Sequence, residues 1–315
     1  MKKSVIAMAV AAAVAAPAAF ADVTISGFVL QEFAFDDDTG ANDDGIENHS
    51  DVGLVFTASE DLGNGMKAFA KIDRGTDTTN GANGTQNNDQ IVGLSGSFGT
   101  IVAGRMEDFT EGKVAAMASV DSSDLVSVEP NGAHDTGRNN GAIAYVSPNM
   151  SGFQVGVAGY AVPGGTAGKK FDATDMMIGY SAGGITVRLA RETVDTSVLN
   201  TGGTNKQKTT SIGAEYKTGP FRVVAVHQGV DNSNGTATDL DGWMIGGNYT
   251  MGNNKFGIGY MKDELTTTTE NKRLVLDFTH NLSKRTKAYV TYQDNDAPAG
   301  TRDTSIWVVG MKHSF

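Results

Sequence analysis

Ser305-Ile306-Trp307-Val308-Val309-Gly310-Met311-Lys312-His313-Ser314-Phe315 is the last segment of the chain, and it decides the fold class. Every second residue counted back from Phe315 is large and mostly apolar, whereas the residues between include a charge, a glycine and a hydroxyl. Because successive side chains of a strand point to opposite faces, this segment predicts one apolar wall and one wetter wall. Chain ends are usually exposed and frayed, so an apolar end of this kind indicates a strand that closes a sheet in a membrane.

About sixteen short segments of this kind follow residue 21, and two types of connection join them. Within one of them, for example, Phe153, Val155 and Val157 alternate with smaller or more polar residues. Tight joints rich in Gly, Asn, Pro and Ser lie at 61–65, 98–100, 148–152, 182–184, 218–220, 251–254 and 281–285. Long polar joints lie at 36–49, 75–87, 107–138, 162–174, 195–208, 230–239, 263–270 and 294–303. Short turns on one side and long loops on the other are typical of a barrel whose turns face the periplasm.

The segments favour a membrane barrel over a soluble sandwich. Each is about nine to eleven residues long, which is enough to cross a bilayer when the strand is tilted. They are too many for one sandwich, and several carry charges on the less apolar face, which a dry core would not accept unpaired. We therefore predict an all-β fold, a transmembrane antiparallel β-barrel of about sixteen strands with short periplasmic turns and long outer loops.

The first residues have the layout of an export signal. Lys2 and Lys3 give a basic start, 5–16 is apolar and rich in alanine, and Ala19-Phe20-Ala21 offers small residues two apart before Asp22. The alternative, a single membrane anchor, is disfavoured because the apolar stretch is too short. We predict a cleaved signal peptide at 1–21 and a single transmembrane β-barrel domain at 22–315.

Composition excludes several kinds of chemistry. The chain has no cysteine, which excludes disulfides, thiolate metal sites and a cysteine nucleophile. Its net charge of −11 argues against nucleic acid as a partner, since phosphate contacts need clustered Lys and Arg. The five histidines are scattered without ligand spacing, so we predict no metal site and no cofactor. The acidic loop with Asp36-Asp37-Asp38 and Asn42-Asp43-Asp44-Gly45 resembles a calcium loop in composition but lacks its spacing, so only loose binding of divalent cations stays open.

Enzymatic activity has little support in the sequence. There is no nucleophile-elbow pattern and no P-loop. A barrel hydrolase would need a catalytic pair at one rim, and His227 with Gln228 and Asp231 is a stretch that could form one, although a rim histidine beside a loop is the commoner interpretation. We predict that the protein is not an enzyme.

Four stretches form an ordered set of motifs: Glu60–Ala68, Arg138–Pro148 followed by Gly152-Phe153, His280–Thr286, and Lys312–Phe315. They resemble the first periplasmic turn, the sixth strand with its turn, and the last hairpin of the Gram-negative general porins. The resemblance covers the whole mature chain. It implies a trimeric diffusion channel of the outer membrane, surrounded by lipid and passing ions and small hydrophilic solutes. It also implies that the third long loop folds inward and that Phe315 helps the assembly machinery recognise the chain.

The connection 107–138 is the longest, and loops of this length are usually functional or disordered. The resemblance implies that acidic side chains on this loop face basic side chains on the opposing wall across a constriction. The acidic candidates on the loop are Glu107, Asp108, Glu111, Asp121, Asp124, Glu129 and Asp135. Arg138 matches the wall arginine of strand six, and the further basic candidates are Lys71, Arg74 and Arg105.

The chain departs from anion-selective members of that family. Where they carry arginines on strands two and four, this chain has Asp51 and Asn88-Asp89, and strand parity points Asp51 into the lumen. Because rings of acidic residues attract cations, we predict a cation-preferring pore with Asp51 and Asp89 in its constriction. Two alternative functions remain: a substrate-specific channel and, less favoured, a barrel hydrolase. The inward aromatic residues Phe28, Phe69, Tyr160 and Tyr289 are few and dispersed, which favours the general channel.

Overall fold

The computed structural model describes residues 22–36, 46–77, 84–130, 137–161, 170–195, 206–232, 239–266, 269–296 and 304–315. Within them, sixteen antiparallel strands form one closed barrel, as predicted. Along the chain the strands are β1 (Asp22–Asp36), β2 (Ile46–Gly63), β3 (Met66–Asp77), β4 (Gly84–Gly96), β5 (Gly99–Glu107), β6 (Arg138–Val146), β7 (Phe153–Tyr160), β8 (Ala173–Ala182), β9 (Ile185–Asp195), β10 (Lys206–Thr218), β11 (Phe221–Asn232), β12 (Leu240–Met251), β13 (Asn254–Thr266), β14 (Thr269–Asn281), β15 (Thr286–Asp296) and β16 (Thr304–Ser314). The predicted signal peptide, 1–21, lies outside the described residues.

The barrel closes where the first and last strands meet. Strand β1 pairs with β2 on one edge and with β16 on the other. The terminal residue completes this seam, because the Phe315 N–H donates to the Gly27 carbonyl at 3.0 Å and the Gly27 N–H donates to the Phe315 carbonyl at 3.1 Å. In a bilayer an open sheet edge leaves polar backbone groups unpaired, so this pairing gives the C-terminal segment the closing role that its alternation predicts.

The alternation of apolar side chains is confirmed strand by strand. Ile258 and Leu276 pair across β13 and β14 and both point outward, with exposed fractions of 53% and 43%. Their inward neighbour Val275 is fully buried. Aromatic side chains near the strand ends follow the same rule: Tyr145 is partly exposed, and Phe33, Phe35, Phe153, Phe221, Trp243, Tyr249, Phe256, Trp307 and Phe315 are exposed. In the described part of the chain, no helix combines the length and the apolar character needed to span a membrane.

The connections also follow the prediction. All seven tight joints are short turns, and the one between β2 and β3 places Asn64 in the left-handed region at φ 53°. Several strands are longer than expected, since β2 has 18 residues and β3 and β4 extend into the predicted loop 75–87 as far as Asp77 and Gly84. Antiparallel pairing continues through polar residues above the membrane, which apolar alternation alone does not reveal. The acidic loop considered for divalent cations falls mostly in 37–45, outside the described residues.

The third long connection (loop 3), as far as it is described at 108–130, folds into the barrel, as predicted. It begins with one π-helical turn, Thr110–Val114, followed by a 3₁₀ turn, Ala115–Ala118. Val114, Val120 and Val128 are buried against the inner wall. The wall makes room with glycines, since a Cβ on Gly259 would lie within 2.9 Å of both Val120 and Val128. The hydrophobic core therefore lies between loop 3 and the wall.

We expect Ile258→Arg to destabilise the barrel in lipid vesicles by about 2–4 kcal/mol, because it places a charge on the lipid-facing surface. Urea titration of the folded protein in phosphatidylcholine vesicles measures this change. Ile258→Leu, which stays apolar at the same site, should lie within about 0.5 kcal/mol of the unmodified chain. Equal stability of the arginine and leucine variants would contradict the assignment of this face to lipid.

Candidate functional site

Loop 3 is fastened to the wall where it enters the lumen. The Asp175 carboxylate on β8 accepts hydrogen bonds from the backbone N–H groups of Phe109, at 2.5 Å, and Thr110, at 3.2 Å. Asp108 is buried at the same point, and its Oδ1 accepts the Glu111 N–H at 2.7 Å. Asp108 therefore caps the first turn of the loop and does not face the pore, in contrast to its predicted place in the constriction.

Farther along, basic side chains of the wall donate to backbone carbonyls of loop 3. Arg222 on β11 makes two such bonds, to Met117 at 2.6 Å and to Ser119 at 2.8 Å. The other donors are Arg188 to Lys113, Lys255 to Asp121, Lys287 to Ser122 and Arg273 to Ser127, at 2.9, 3.4, 3.5 and 3.1 Å. Hydrogen bonds from charged donors are stronger than neutral ones. These cations thus hold the backbone of the loop, whereas the family resemblance implies basic residues facing its acidic side chains.

The part of the loop around Ser122 and Asp124 is held by acidic side chains of the wall. Glu32 on β1 is fully buried, accepts the Asp124 N–H at 3.2 Å and accepts the Tyr289 hydroxyl at 2.7 Å. Asp277 on β14 accepts the Ser122 N–H at 3.2 Å. The loop consequently crosses the lumen along strands β8 to β15 and reaches β1 at Asp124. It leaves the strands β2 to β6 as the opposite wall of the passage.

That opposite wall carries a mixed network of charges. Lys71 lies 3.1 Å from both Asp73 and Asp89. Arg138 lies 2.8 Å from Glu107 and 3.5 Å from Asp89. Four of the predicted constriction residues, Lys71, Asp89, Glu107 and Arg138, are therefore brought together here. Asp51 points to the same side of the sheet, since its partners across the strands are Leu30, which is buried in the interior, and Asp77.

The loop adds acidic groups with altered proton affinity. Burial raises the pKa of the Asp121 carboxyl to about 7, and the Asp277 carboxylate adds to the rise against the opposing effect of Lys255 and Lys287. Burial also raises the pKa of Glu129 to about 7, with repulsion from Glu111, Glu107 and Asp263. Both carboxyls consequently change charge near neutral pH. Asp124 is exposed beside them, and Asp135 lies outside the described residues.

Two predicted constriction residues, Arg74 and Arg105, lie on the outward face of the barrel. Arg74 pairs across the sheet with Leu54, and Arg105 pairs with Gln90, which shares its face with the exposed Val92. Directly paired residues point to the same face. Lys71 and Arg74 are three residues apart, so an unbroken strand cannot turn both inward. The physical reason for this correction is therefore strand parity.

The basic wall residues that donate to loop 3 carbonyls were not recognised as functional from the sequence. They are Arg188, Arg222, Lys255, Arg273 and Lys287. Parity does place Arg188 and Arg273 on the inner face. Nothing in the sequence, however, pairs a wall side chain with a particular carbonyl of a loop some 75 to 165 residues away. A positional signal was present, because Arg222, Lys255 and Lys287 are each the second residue of a strand that follows a tight turn.

The alternative catalytic stretch is not assembled as a site. His227 points outward and its Nε2 lies 3.4 Å from Asp241, whereas Gln228 points inward and donates to Ser211 at 3.0 Å. Asp231 pairs with Lys208 at 3.6 Å. Across the residues that the structure describes, no group of three or more His, Asp or Glu side chains is arranged to hold a metal ion.

An apolar outside, a polar lumen and an inward loop together define a channel protein of the outer-membrane β-barrel class. A family model described as Gram-negative porin matches residues 7–300. The chain therefore belongs to the Gram-negative porin family, and it is an outer-membrane porin, which confirms the resemblance seen in the motifs. Its location in the Gram-negative outer membrane follows from this membership.

Relatives and solved structures agree with this assignment. Outer membrane porin protein 32 of Delftia acidovorans is 29% identical over 364 residues, covering 100% of both chains. Major outer membrane protein P.IB of Neisseria lactamica is 25% identical over 351 residues, again covering 100% of both. In fold the chain is similar to an anion-selective porin from Comamonas acidovorans (TM-score 0.74, 19% identity, 94% of this chain and 100% of that one) and to Salmonella typhi OmpF in complex with daunomycin (TM-score 0.76, 15% identity, 93% and 97%).

We expect Arg222→Gln to loosen loop 3, because the shorter neutral side chain loses both charged bonds to the loop carbonyls. The free energy of unfolding should fall by about 2–3 kcal/mol, and single-channel recordings should show larger current fluctuations. Lys217→Gln is the matched control, since Lys217 pairs with the same carboxylate, Glu215, at 2.9 Å but is exposed. If the current fluctuations of Arg222→Gln are no larger than those of the unmodified channel, Arg222 does not hold loop 3 in place.

Proposed function

We propose that the protein is a passive diffusion channel for ions and small hydrophilic solutes, and not an enzyme. One observation carries the proposal: loop 3 is tied to one wall by its backbone, which leaves a charged passage beside strands β2 to β6. The loop is fastened at both ends and along its length, so it narrows the lumen without filling it as a mobile plug. The inward aromatic residues Phe28, Phe69, Tyr160 and Tyr289 lie on separate strands and form no continuous track, which supports the general channel over a substrate-specific one.

We further propose that this passage prefers cations. Asp51, Asp73, Asp89 and Glu107 lie on the wall, and Asp121, Asp124 and Glu129 on the loop add further acidic groups. The basic groups in the wall network are Lys71 and Arg138, and both are paired with carboxylates. The remaining inward cations named above donate to loop carbonyls, where their positive charge is partly compensated. An excess of acidic groups along the route attracts cations and repels anions.

Assembly is also a proposal for this chain. A structure similar in fold is described as OmpT of Vibrio cholerae in its trimer form, at 13% identity and a TM-score of 0.70. We propose a homotrimer, with Phe315 contributing to recognition during assembly after export by residues 1–21. Planar-bilayer recording tests the trimer, because three equal closing steps in each insertion are expected. Single closing steps together with a monomer in native electrophoresis would refute it.

We expect a potassium preference when the reversal potential is measured across a KCl gradient at pH 8. Asp51→Asn combined with Asp89→Asn should lower the ratio of potassium to chloride permeability at least two-fold, because it leaves Lys71 and Arg138 less compensated. Asp231→Asn is the control, since this exposed acid pairs with Lys208 at the rim. A chloride preference of the unmodified channel would refute the proposal, while the channel function itself is tested by conductance.

The cation preference should weaken as the pH falls from 8 to 6. The pKa values of Asp121 and Glu129 are raised to about 7, so both carboxyls are ionised at pH 8 and become neutral below pH 7. Reversal potentials at several pH values measure the effect. Asp121→Asn with Glu129→Gln should remove most of the change between pH 8 and 6. An unaltered pH profile in this double variant would show that other groups are responsible.

A further inference from the structure

The inner wall of strands β3 to β5 carries an apolar patch, although the interior of a membrane barrel is ordinarily polar. Ile91 on β4 points inward, because it pairs directly with Lys71 of the charge network on the wall. Phe69 lies two residues before Lys71 on the same face of β3, and its ring covers Gly93, where an added Cβ would clash with it. Gly93 in turn pairs with Val102 on β5. Phe69, Ile91 and Val102 (the apolar patch) therefore lie together on the lumen side.

The apolar patch forms one side of a cavity of about 250 Å³. Loop 3 forms the other side with Phe109, Gly112 and Lys113. Liquid water takes about 30 Å³ per molecule, so the cavity has room for a small organic solute. It lies where loop 3 enters the lumen, beside the passage that the proposed function uses.

Charged side chains line the same cavity. Asp89 and Glu107 of the charge network contribute their carboxylates to it. Glu107 Oε1 lies 2.8 Å from Arg138, whereas its Oε2 approaches Gly112 of loop 3, where an added Cβ would come within 2.5 Å of it. Lys113 follows Gly112 directly in the loop. The cavity therefore has carboxylates on the wall and a lysine on the loop beside them.

Lys113 is the basic residue in this lining, and it is exposed. Its main-chain carbonyl accepts a hydrogen bond from Arg188 at 2.9 Å, which holds the backbone at this point. Among the described residues, no carboxylate lies within ion-pair distance of the Lys113 ammonium. A cation, two carboxylates and an apolar surface in one cavity match a solute that carries both signs of charge and an apolar group.

We propose that this cavity binds small zwitterionic amino acids with an apolar side chain, an inference that rests on the proposed diffusion channel. The carboxylate of the solute lies on the Lys113 ammonium, and its ammonium lies on the carboxylates of Glu107 and Asp89. The side chain of the solute covers the apolar patch and removes it from water.

Other classes of small solute match the cavity less well. An organic anion is repelled by the two carboxylates, and an alkylammonium leaves Lys113 unpaired. A polar solute leaves the apolar patch in contact with water. The site binds weakly and reversibly, because a channel conducts only when its solute can leave again. It is therefore a stop on the diffusion route and not a filter that excludes other solutes.

The test is the interruption of single-channel KCl current by leucine in planar bilayers that contain the full-length mature protein. We expect leucine to interrupt the current in a concentration-dependent and saturable way. Glycine lacks the apolar side chain, isopentylamine is leucine without its carboxylate, and isocaproate is leucine without its ammonium. Each of these three compounds should bind at least three-fold more weakly than leucine. Equal affinity for all four compounds would overturn the proposal.

Variants assign the contacts to residues. Lys113→Gln should weaken leucine binding at least five-fold and change isopentylamine binding less than two-fold, because only leucine carries the carboxylate. Ile91→Thr should weaken leucine binding at least three-fold and change glycine binding less than two-fold. Lys67→Gln is the matched control, since Lys67 is also an exposed, inward lysine, two residues before Phe69, but lies outside the cavity lining. An equal loss of leucine binding in Lys67→Gln and Lys113→Gln would contradict the site.

Saturation-transfer NMR in detergent micelles measures the same affinities without conduction, so the site and the channel function can fail separately. A protein that conducts KCl but binds leucine no better than glycine retains the channel function and loses the site. A protein that binds leucine selectively but does not conduct retains the site and loses the channel function.

Discussion

The structure depends on one constraint, that a sheet in lipid leaves no backbone polar group unpaired. Closure of β1 on β16, completed by the exchange of two hydrogen bonds between Phe315 and Gly27, satisfies it. The closed wall then has two solvents, lipid outside and water inside, and each strand must alternate between them. The alternation of apolar and polar side chains and the exposed aromatic residues near the strand ends follow from this condition.

Closure also creates the space that loop 3 occupies, and the loop is held in an unusual way for a charged segment. Cations of the wall donate to its carbonyls, and Asp175, Asp277 and Glu32 accept from its backbone N–H groups. These bonds involve the backbone of the loop and not the carboxyl groups of Asp121 and Glu129, which are partly buried. The charge of the passage can therefore change by substitution or by pH without release of the loop.

Strand parity proved a better guide than family resemblance to individual residues. Lys71, Asp89, Glu107 and Arg138 meet in one network on strands β3 to β6. The same resemblance also suggested Arg74 and Arg105, but the register turns both toward the membrane. Neither parity nor resemblance could predict the role of Asp108, because its burial and its bond to the Glu111 N–H depend on where the loop enters the lumen.

The sequence by itself determined the number of strands, the face of each side chain, the turns and the family, because alternation and turn chemistry act within a few residues. Tertiary structure alone decided which wall residues hold loop 3 and which acids have a raised pKa. It also decided that Arg74 and Arg105, on different strands, converge on Asn87. These features require residues far apart in the chain to meet in space, and the local pattern of a sequence does not specify such long-range contacts.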